Sequence, residues 1–346
     1  MDISYIKQYL KEYDGPKLRL MEVCGTHTAS IAKNGIKSML SDSIKLISGP
    51  GCPVCVTPTA YVDKLIDLAV NEGCVIATFG DLIRVPGSKM SLSTAKGEGA
   101  QVAMVYSPFD VIDLAKKNPG KQYVFAAVGF ETTTPVYSML LDEIIKADIA
   151  NVRLLTSLKT MPEVIASLMN EGCEVDGFLA PGHVCAITGS QIFEPIAKKY
   201  KVPFAVSGFS GEELLIAIYG LVRMIQEKDY SVKNFYTSIV EDKPNAKAYD
   251  SVNKFFEKSD AMWRGMGVIP SSGMSLKSDF SKYDAGSKAL STDNPKANGC
   301  RCGEILKGKL ESKDCPLFGT ACTPSNPQGA CMVSTEGSCF YAYNYR

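Results

Sequence analysis

Ile44-Lys45-Leu46-Ile47-Ser48-Gly49-Pro50-Gly51-Cys52-Pro53-Val54-Cys55-Val56-Thr57-Pro58 holds two thiols in a Gly/Pro loop, and its two flanks decide the fold. The apolar run Ile44 to Ile47 predicts a buried strand leading in. Tyr61 to Val70, with Leu65, Ile66, Leu68 and Ala69 at helical spacing, predicts a helix leading out. Cys52 and Cys55 therefore stand after the carboxyl end of a strand and before a helix N-terminus, where free backbone N–H groups favour thiolate. Pro53 stiffens the loop between the sulfurs. Cys-x-x-Cys at a strand-to-helix turn points to redox or metal chemistry, against two plain alternatives: buried cysteines in a turn, or half of a zinc site.

The same rhythm continues on both sides. Leu18 to Val23, Cys74 to Phe79, Gln101 to Val105, Tyr123 to Val128, Val152 to Thr156 and Gly177 to Ala180 are apolar runs of strand length. Helical patterns fall at Phe109 to Lys117, Pro135 to Lys146 and Pro162 to Asn170. Strands alternating with helices predict a parallel, doubly wound α/β sheet, in which loops at the carboxyl ends of strands build the site. Cys24, Cys52, Asp81 and Gly129-Phe130-Glu131-Thr132-Thr133-Thr134 all fall at such ends. Cys24 and His27, in Cys24-Gly25-Thr26-His27, can reach one metal ion or act as a nucleophile pair; a buried cysteine and a helix-capping histidine is the structural alternative. A helix is expected from Thr28 to about Leu40. Glu131 suits a ligand-orienting or proton-relay role, and the threonines suit helix capping. Ser210 and Glu213, three apart, form a capping-box pattern before a long helix.

Pro50-Gly51-Cys52 and Pro181-Gly182-His183 each follow a short apolar strand, with Cys55 and Cys185 close behind. This likeness predicts two similar parallel-sheet α/β domains facing a cleft, with His183 opposite the thiols. The expected division is 1–20 for an N-terminal helix and lead-in strand, 21–133 for the first domain, 134–240 for the second, and 241–346 for a cysteine-rich tail of mixed, mostly irregular and helical structure.

That tail carries six of the 12 cysteines, Cys300, Cys302, Cys315, Cys322, Cys331 and Cys339, and neither of the two histidines. It has too few aliphatic residues to fold around its own core, so an inorganic staple is expected. Thiols in turns with apolar and aromatic neighbours (Leu317, Phe318, Phe340, Tyr341, Tyr343) fit an iron–sulfur cluster shielded from water. Six thiols would leave a four-ligand cluster with two to spare.

Composition sets the remaining bounds. Thirty-seven basic and 37 acidic residues balance, so the charge gives no reason to expect nucleic acid or an anionic membrane. No apolar run has the length of a membrane span, and the start of the chain lacks an apolar signal region, which predicts a cytoplasmic protein. In a reducing cytosol, 12 cysteines are candidates for metal, cluster or redox work. No Gly-x4-Gly-Lys-Ser/Thr loop occurs.

Taken together, Met21-Glu22-Val23-Cys24-Gly25-Thr26-His27, Gly49-Pro50-Gly51-Cys52-Pro53-Val54-Cys55, Gly129-Phe130-Glu131-Thr132-Thr133, Pro181-Gly182-His183-Val184 and Cys300-Arg301-Cys302-Gly303-Glu304 resemble the hydrogenase maturation family HypD. Asp314-Cys315-Pro316-Leu317-Phe318-Gly319 and Cys331 to Cys339 extend the likeness over nearly the whole chain. The resemblance implies that Cys300, Cys315, Cys322 and Cys339, spaced Cys-x14-Cys-x6-Cys-x16-Cys, hold a 4Fe-4S cluster, and that Cys302 and Cys331 are a redox pair. It implies that Cys24, with His27 and a partner cysteine such as Cys55, holds iron while the Fe(CN)2CO unit of nickel–iron hydrogenase is assembled. Cys52 and Cys55 would supply electrons in pairs, and Glu131 and His183 would tune protons or nascent ligands. A small HypC-type chaperone and a HypE-type cyanide donor are the implied partners. Ala29 departs from the family, many members of which have a histidine there. The competing expectations are a stand-alone cluster-linked disulfide/dithiol oxidoreductase and a structural zinc protein.

Overall fold

The computed structural model describes residues 2–294 and 299–345. Its strands are β1 (Leu18–Glu22), β2 (Ile44–Ser48), β3 (Val75–Thr78), β4 (Val102–Met104), β5 (Tyr123–Gly129), β6 (Val152–Lys159), β7 (Gly177–Pro181), β8 (Phe204–Ser207), β9 (Val232–Asn234), β10 (Phe256–Trp263) and β11 (Gly267–Leu276). They form two sheets, one in the order β2-β1-β7-β8-β9 and one in the order β10-β11-β6-β5-β3-β4. Every pairing in the first sheet is parallel, as are those from β4 to β6 in the second; β11 and β10 add antiparallel edges. The expected α/β class with parallel-rich sheets is therefore correct.

Both sheets are covered on both faces, which is why their strands are continuous apolar runs. On the first, Leu18, Leu20, Leu46 and Leu179 pack against Ile6 and Leu10 of the helix Ile3–Lys11 and Leu214 and Ile218 of the helix Gly211–Glu227. Met21, Ile47, Phe178 and Phe204 meet Met161, Val164 and Leu168 on its other face. The second sheet buries Phe125 and Leu154 under the helix Thr134–Lys146, and Val124 and Leu155 under Tyr61, Leu65 and Leu68. The Ser210/Glu213 capping box forms as expected.

Sheet membership interleaves along the chain and does not follow a division at 133/134. β1 pairs with β2 on one side and with β7 on the other, and Met21 stands opposite both Ile47 and Phe178. The Pro50-Gly51 and Pro181-Gly182 turns thus close strands of one sheet, with β1 between them, and not of two facing units. The chain leaves the first sheet through the Cys52–Pro58 loop, whose following helix, Thr59–Val70, packs on the second sheet. It returns through the helix Met161–Asn170, which packs on the first. A loop that crosses between sheets is held from both sides, which suits a site.

Two further expectations change. The helix after Cys24 starts at Gly25 and ends at Lys33, where Gly35 at φ 61° turns the chain into a short 3-10 helix, Ile36–Met39. His27 is therefore inside the helix and Cys24 caps it. The region from 241 onward is not mostly irregular and helical throughout, because β10 and β11 form a long hairpin that extends the second sheet. Its turn is made by Gly265 and Gly267, at φ 70° and 83°.

Candidate functional site

Glu22 ends β1 almost fully buried, and its Oε2 accepts the Cys24 backbone N–H at 3.1 Å while Oε1 accepts the Thr28 hydroxyl. Burial pushes this carboxyl up to about 7. The acid was hidden in the sequence; a charged residue inside an apolar strand was the available signal. Cys24 follows as the helix N-cap, with extended backbone and no side-chain hydrogen bond to the helix. Burial raises its thiol to about 12, although the neighbouring backbone N–H groups of His27 and Thr26 pull it down. The Cys52/Cys55 pair lies farther from its own helix, which starts at Thr59, so the cysteine position at a helix N-terminus belongs to Cys24 instead.

The Cys52 loop is laid directly on Cys24. Gly25 N–H donates to the Gly51 carbonyl at 2.9 Å, and Gly49 N–H donates to the Glu22 carbonyl at 2.8 Å. A Cβ at Gly51 would collide with the nitrogen and Cα of Cys24. Gly51→Ala is therefore expected to lower stability by at least about 3 kcal/mol, read as a drop in the urea midpoint with the slope unchanged. Cys52 and Cys55 form a close pair, Cα atoms 5.2 Å apart and sulfurs in bonding contact. Both are buried, at 4% and 0% exposure.

His27 is fully buried, and its Nε2 lies 3.3 Å and 3.1 Å from the carbonyls of Ser207 and Gly208. Two acceptors require Nε2 to carry the proton, which leaves Nδ1 as a lone pair; that atom has no hydrogen-bond partner. Burial lowers the ring to about 4, so it is neutral at pH 7. His183 is exposed at the rim of the same sheet end. Phe209, for which no sequence signal stood out, stacks on His183 at 3.8 Å and meets His27 in a tilted contact at 4.9 Å, so it joins the two imidazoles.

Glu131 stands farther out, its Oε1 accepting Met161 N–H at 2.8 Å and its Oε2 buried without a partner. Burial raises it to about 7. Burial also raises the Cys185 thiol, and the nearby charges of Glu131 and Cys24 add to the rise. Thr133 and Thr134 donate to the Phe130 carbonyl and do not cap the helix with their side chains.

The tail closes over this face. Glu336 accepts the Thr26 hydroxyl at 3.1 Å, and Asp81 accepts from Ser334 at 3.1 Å and from Thr335 N–H at 3.2 Å. Cys55 Sγ lies 4.0 Å from the carbonyl of Ala330, the residue before Cys331. Cys300, Cys302, Cys315, Cys322, Cys331 and Cys339 all line one 10 Å³ cavity, walled by Ile305, Phe318 and Met332. The neighbouring Cys300 and Cys331 thiols both act on Cys302, and burial adds to the rise of its pKa to about 12. Burial raises Cys322, and takes Cys339 to about 12. Among the described residues no three His, Cys, Asp or Glu side chains are set as the ligands of a single metal ion. An apolar wall carrying six thiols does fit the donor chemistry of an iron–sulfur cluster. A larger cavity of 770 Å³ opens beside it, with Glu22, Thr28, Ser48, Ser338 and Tyr341 in its lining.

Parallel sheets whose carboxyl ends carry a buried cysteine at a helix start, a close cysteine pair and a cysteine-lined pocket define an α/β protein with a thiol-built site. A family model described as HypD, hydrogenase formation hypA family, matches residues 3–346. A putative hydrogenase expression/formation protein of Methanocaldococcus jannaschii is 41% identical over 95% of this chain and 92% of its own length. Hydrogenase maturation factor HypD of Escherichia coli is 40% identical over 95% and 89%, and HypD2 of Bradyrhizobium diazoefficiens 40% over 94% and 89%. The chain belongs to the HypD family of hydrogenase maturation factors. No helix among the described residues is long and apolar enough to cross a membrane.

Proposed function

We propose that this chain is the scaffold on which iron receives cyanide and CO to become the Fe(CN)2CO unit of nickel–iron hydrogenase. Iron is the cargo. Cys24 is its thiolate ligand, a soft donor suited to iron that also accepts strong-field ligands. Binding displaces the Cys24 proton, which burial otherwise retains. His27, with its Nδ1 lone pair left open, and Cys55 are the supporting donors. Cys52 and Cys55 cycle between dithiol and disulfide, each cycle passing two electrons and two protons.

Cys300, Cys315, Cys322 and Cys339 would hold a 4Fe-4S cluster, which supplies single electrons when bound. Cys331 follows Ala330, whose carbonyl meets Cys55 Sγ; Cys302 and Cys331 would reduce the Cys52–Cys55 disulfide by thiol–disulfide exchange, themselves closing to a disulfide as it opens to two thiols. Glu131 and His183 tune protons around the cargo. A HypC-type chaperone collects the iron unit and a HypE-type partner delivers cyanide, in the cytoplasm. The observation that carries this reading is the contact of Cys55 Sγ with the Ala330 carbonyl, which joins the pair beside Cys24 to the cysteine-lined pocket. A stand-alone disulfide/dithiol oxidoreductase needs a sulfur that an outside thiol can attack, and the burial of Cys52 and Cys55 argues against it.

Anaerobic purification followed by metal and acid-labile sulfide analysis tests the proposal. The expected content is about four iron and four sulfide per chain. A colourless protein holding only zinc refutes it.

A further inference from the structure

Lys159 ends β6 with its side chain inside the molecule, at 2% exposure. Its Nζ donates to Ser157 Oγ at 3.0 Å and lies 5.5 Å from the ring centre of Trp263. An ammonium has three N–H donors, and one hydroxyl accepts only one of them. The charged groups around it are engaged elsewhere. Asp293, the one carboxylate that acts on it, accepts from Thr59 N–H, the Thr59 hydroxyl and Gly265 N–H at 2.9, 3.1 and 2.8 Å. Lys258 pairs with Glu163 at 2.7 Å, Lys288 with Glu257 at 3.6 Å, and Asp260 accepts Ser271 N–H at 2.9 Å.

A lysine buried without an ion-pair partner is costly. Burial accordingly lowers its pKa to about 7, against the pull of Asp293. The amine faces a use for that cost. A 490 Å³ cavity lies between β6 and the β10–β11 hairpin, lined by Lys159, by the hydroxyl residues Thr156, Ser157, Ser259, Ser275 and Ser287, and by the engaged Glu257, Lys258, Asp260 and Lys288. With Glu257 and Asp260 engaged by Lys288 and by Ser271 N–H, the buried Lys159 ammonium and the hydroxyls complement a small anion, whose oxygens would replace the water the ammonium has lost.

We propose that this cavity binds a small oxyanion, phosphate- or carboxylate-bearing, through the Lys159 ammonium and the surrounding hydroxyls. None of the cysteines takes part, so the site stands or falls separately from the iron scaffold.

Trp263 is the single tryptophan of the chain, so its emission reports on the amine above its ring. The full chain is titrated calorimetrically with inorganic phosphate and, separately, with acetate, and the Trp263 emission is followed in parallel. Saturable heat with a matching emission change is expected for at least one of them. Response to phosphate alone assigns a phosphoryl ligand, to acetate alone a carboxylate, and to both a general oxyanion site. Lys159→Met, which keeps the methylene stem, should weaken binding at least about tenfold. Ser157→Ala, a milder change, should weaken it by a smaller factor with the circular dichroism spectrum unchanged. Absence of saturable binding by either anion overturns the proposal, as does undiminished affinity in both variants.

Discussion

Cys24→Ala is expected to leave a folded protein that no longer supports hydrogenase maturation. The two halves of that expectation have separate physical causes. The fold loses one buried sulfur at a helix N-cap that makes no side-chain capping bond, at a cost of about 1 kcal/mol. Glu22 still holds the backbone from the strand side, so the turn survives. The iron loses its central thiolate, and neither His27 nor Cys55 replaces it, since each is anchored by its own contacts. Active hydrogenase in a host carrying the variant should fall at least about a hundredfold, while the thermal midpoint of the purified protein moves by only a few degrees. Maturation at half the parent level or more would remove Cys24 from the role proposed for it. A general thiol-exchange enzyme would give that result.

Cys322→Ala should empty the tail of its inorganic content. Cys322 is buried at 6% exposure, accepts Gln328 N–H at 3.3 Å and shares the small cavity with the other five thiols. A cluster held by four thiolates does not survive the loss of one in an apolar pocket without a replacement ligand, so iron and sulfide should drop from about four each to under one per chain. Because the tail is short of aliphatic core, its local structure should loosen as well, seen as faster hydrogen exchange around Cys315 and Cys331. Cys74→Ala is the control. That cysteine is equally buried but packs among Tyr61, Leu65 and Ile76 on the second sheet, and its loss should leave the iron content unchanged. Equal iron in the parent and in Cys322→Ala would dissociate the four-cysteine spacing from cluster binding.

Local signals carried far in this chain. Apolar runs of strand length placed β1 to β7 within a residue or two at most ends, because a strand buried on both faces must be apolar throughout. Ser210 and Glu213 set a helix start by contacts three residues apart, and the structure forms that box. The helix begins at Gly25, three residues before the expected Thr28, with its first N–H taken by the Gly51 carbonyl of a loop that is distant in local pattern. The hairpin of β10 and β11 was missed, although Gly265-Met266-Gly267 is the kind of turn that allows one.

By itself the sequence determined the alternation of strands and helices, the presence of turns at Cys24, Cys52 and His183, the spacing of the tail cysteines and the family. All of these are encoded in neighbours or in fixed intervals along the chain. Only the tertiary structure decided that β1 lies between β2 and β7, that Phe209 joins the two histidines, that Glu22 is buried behind Cys24, and that Ala330 meets Cys55. Those contacts join residues up to 275 positions apart. Their selection depends on which apolar faces bury each other best, a property of the assembled sheets and not of any segment.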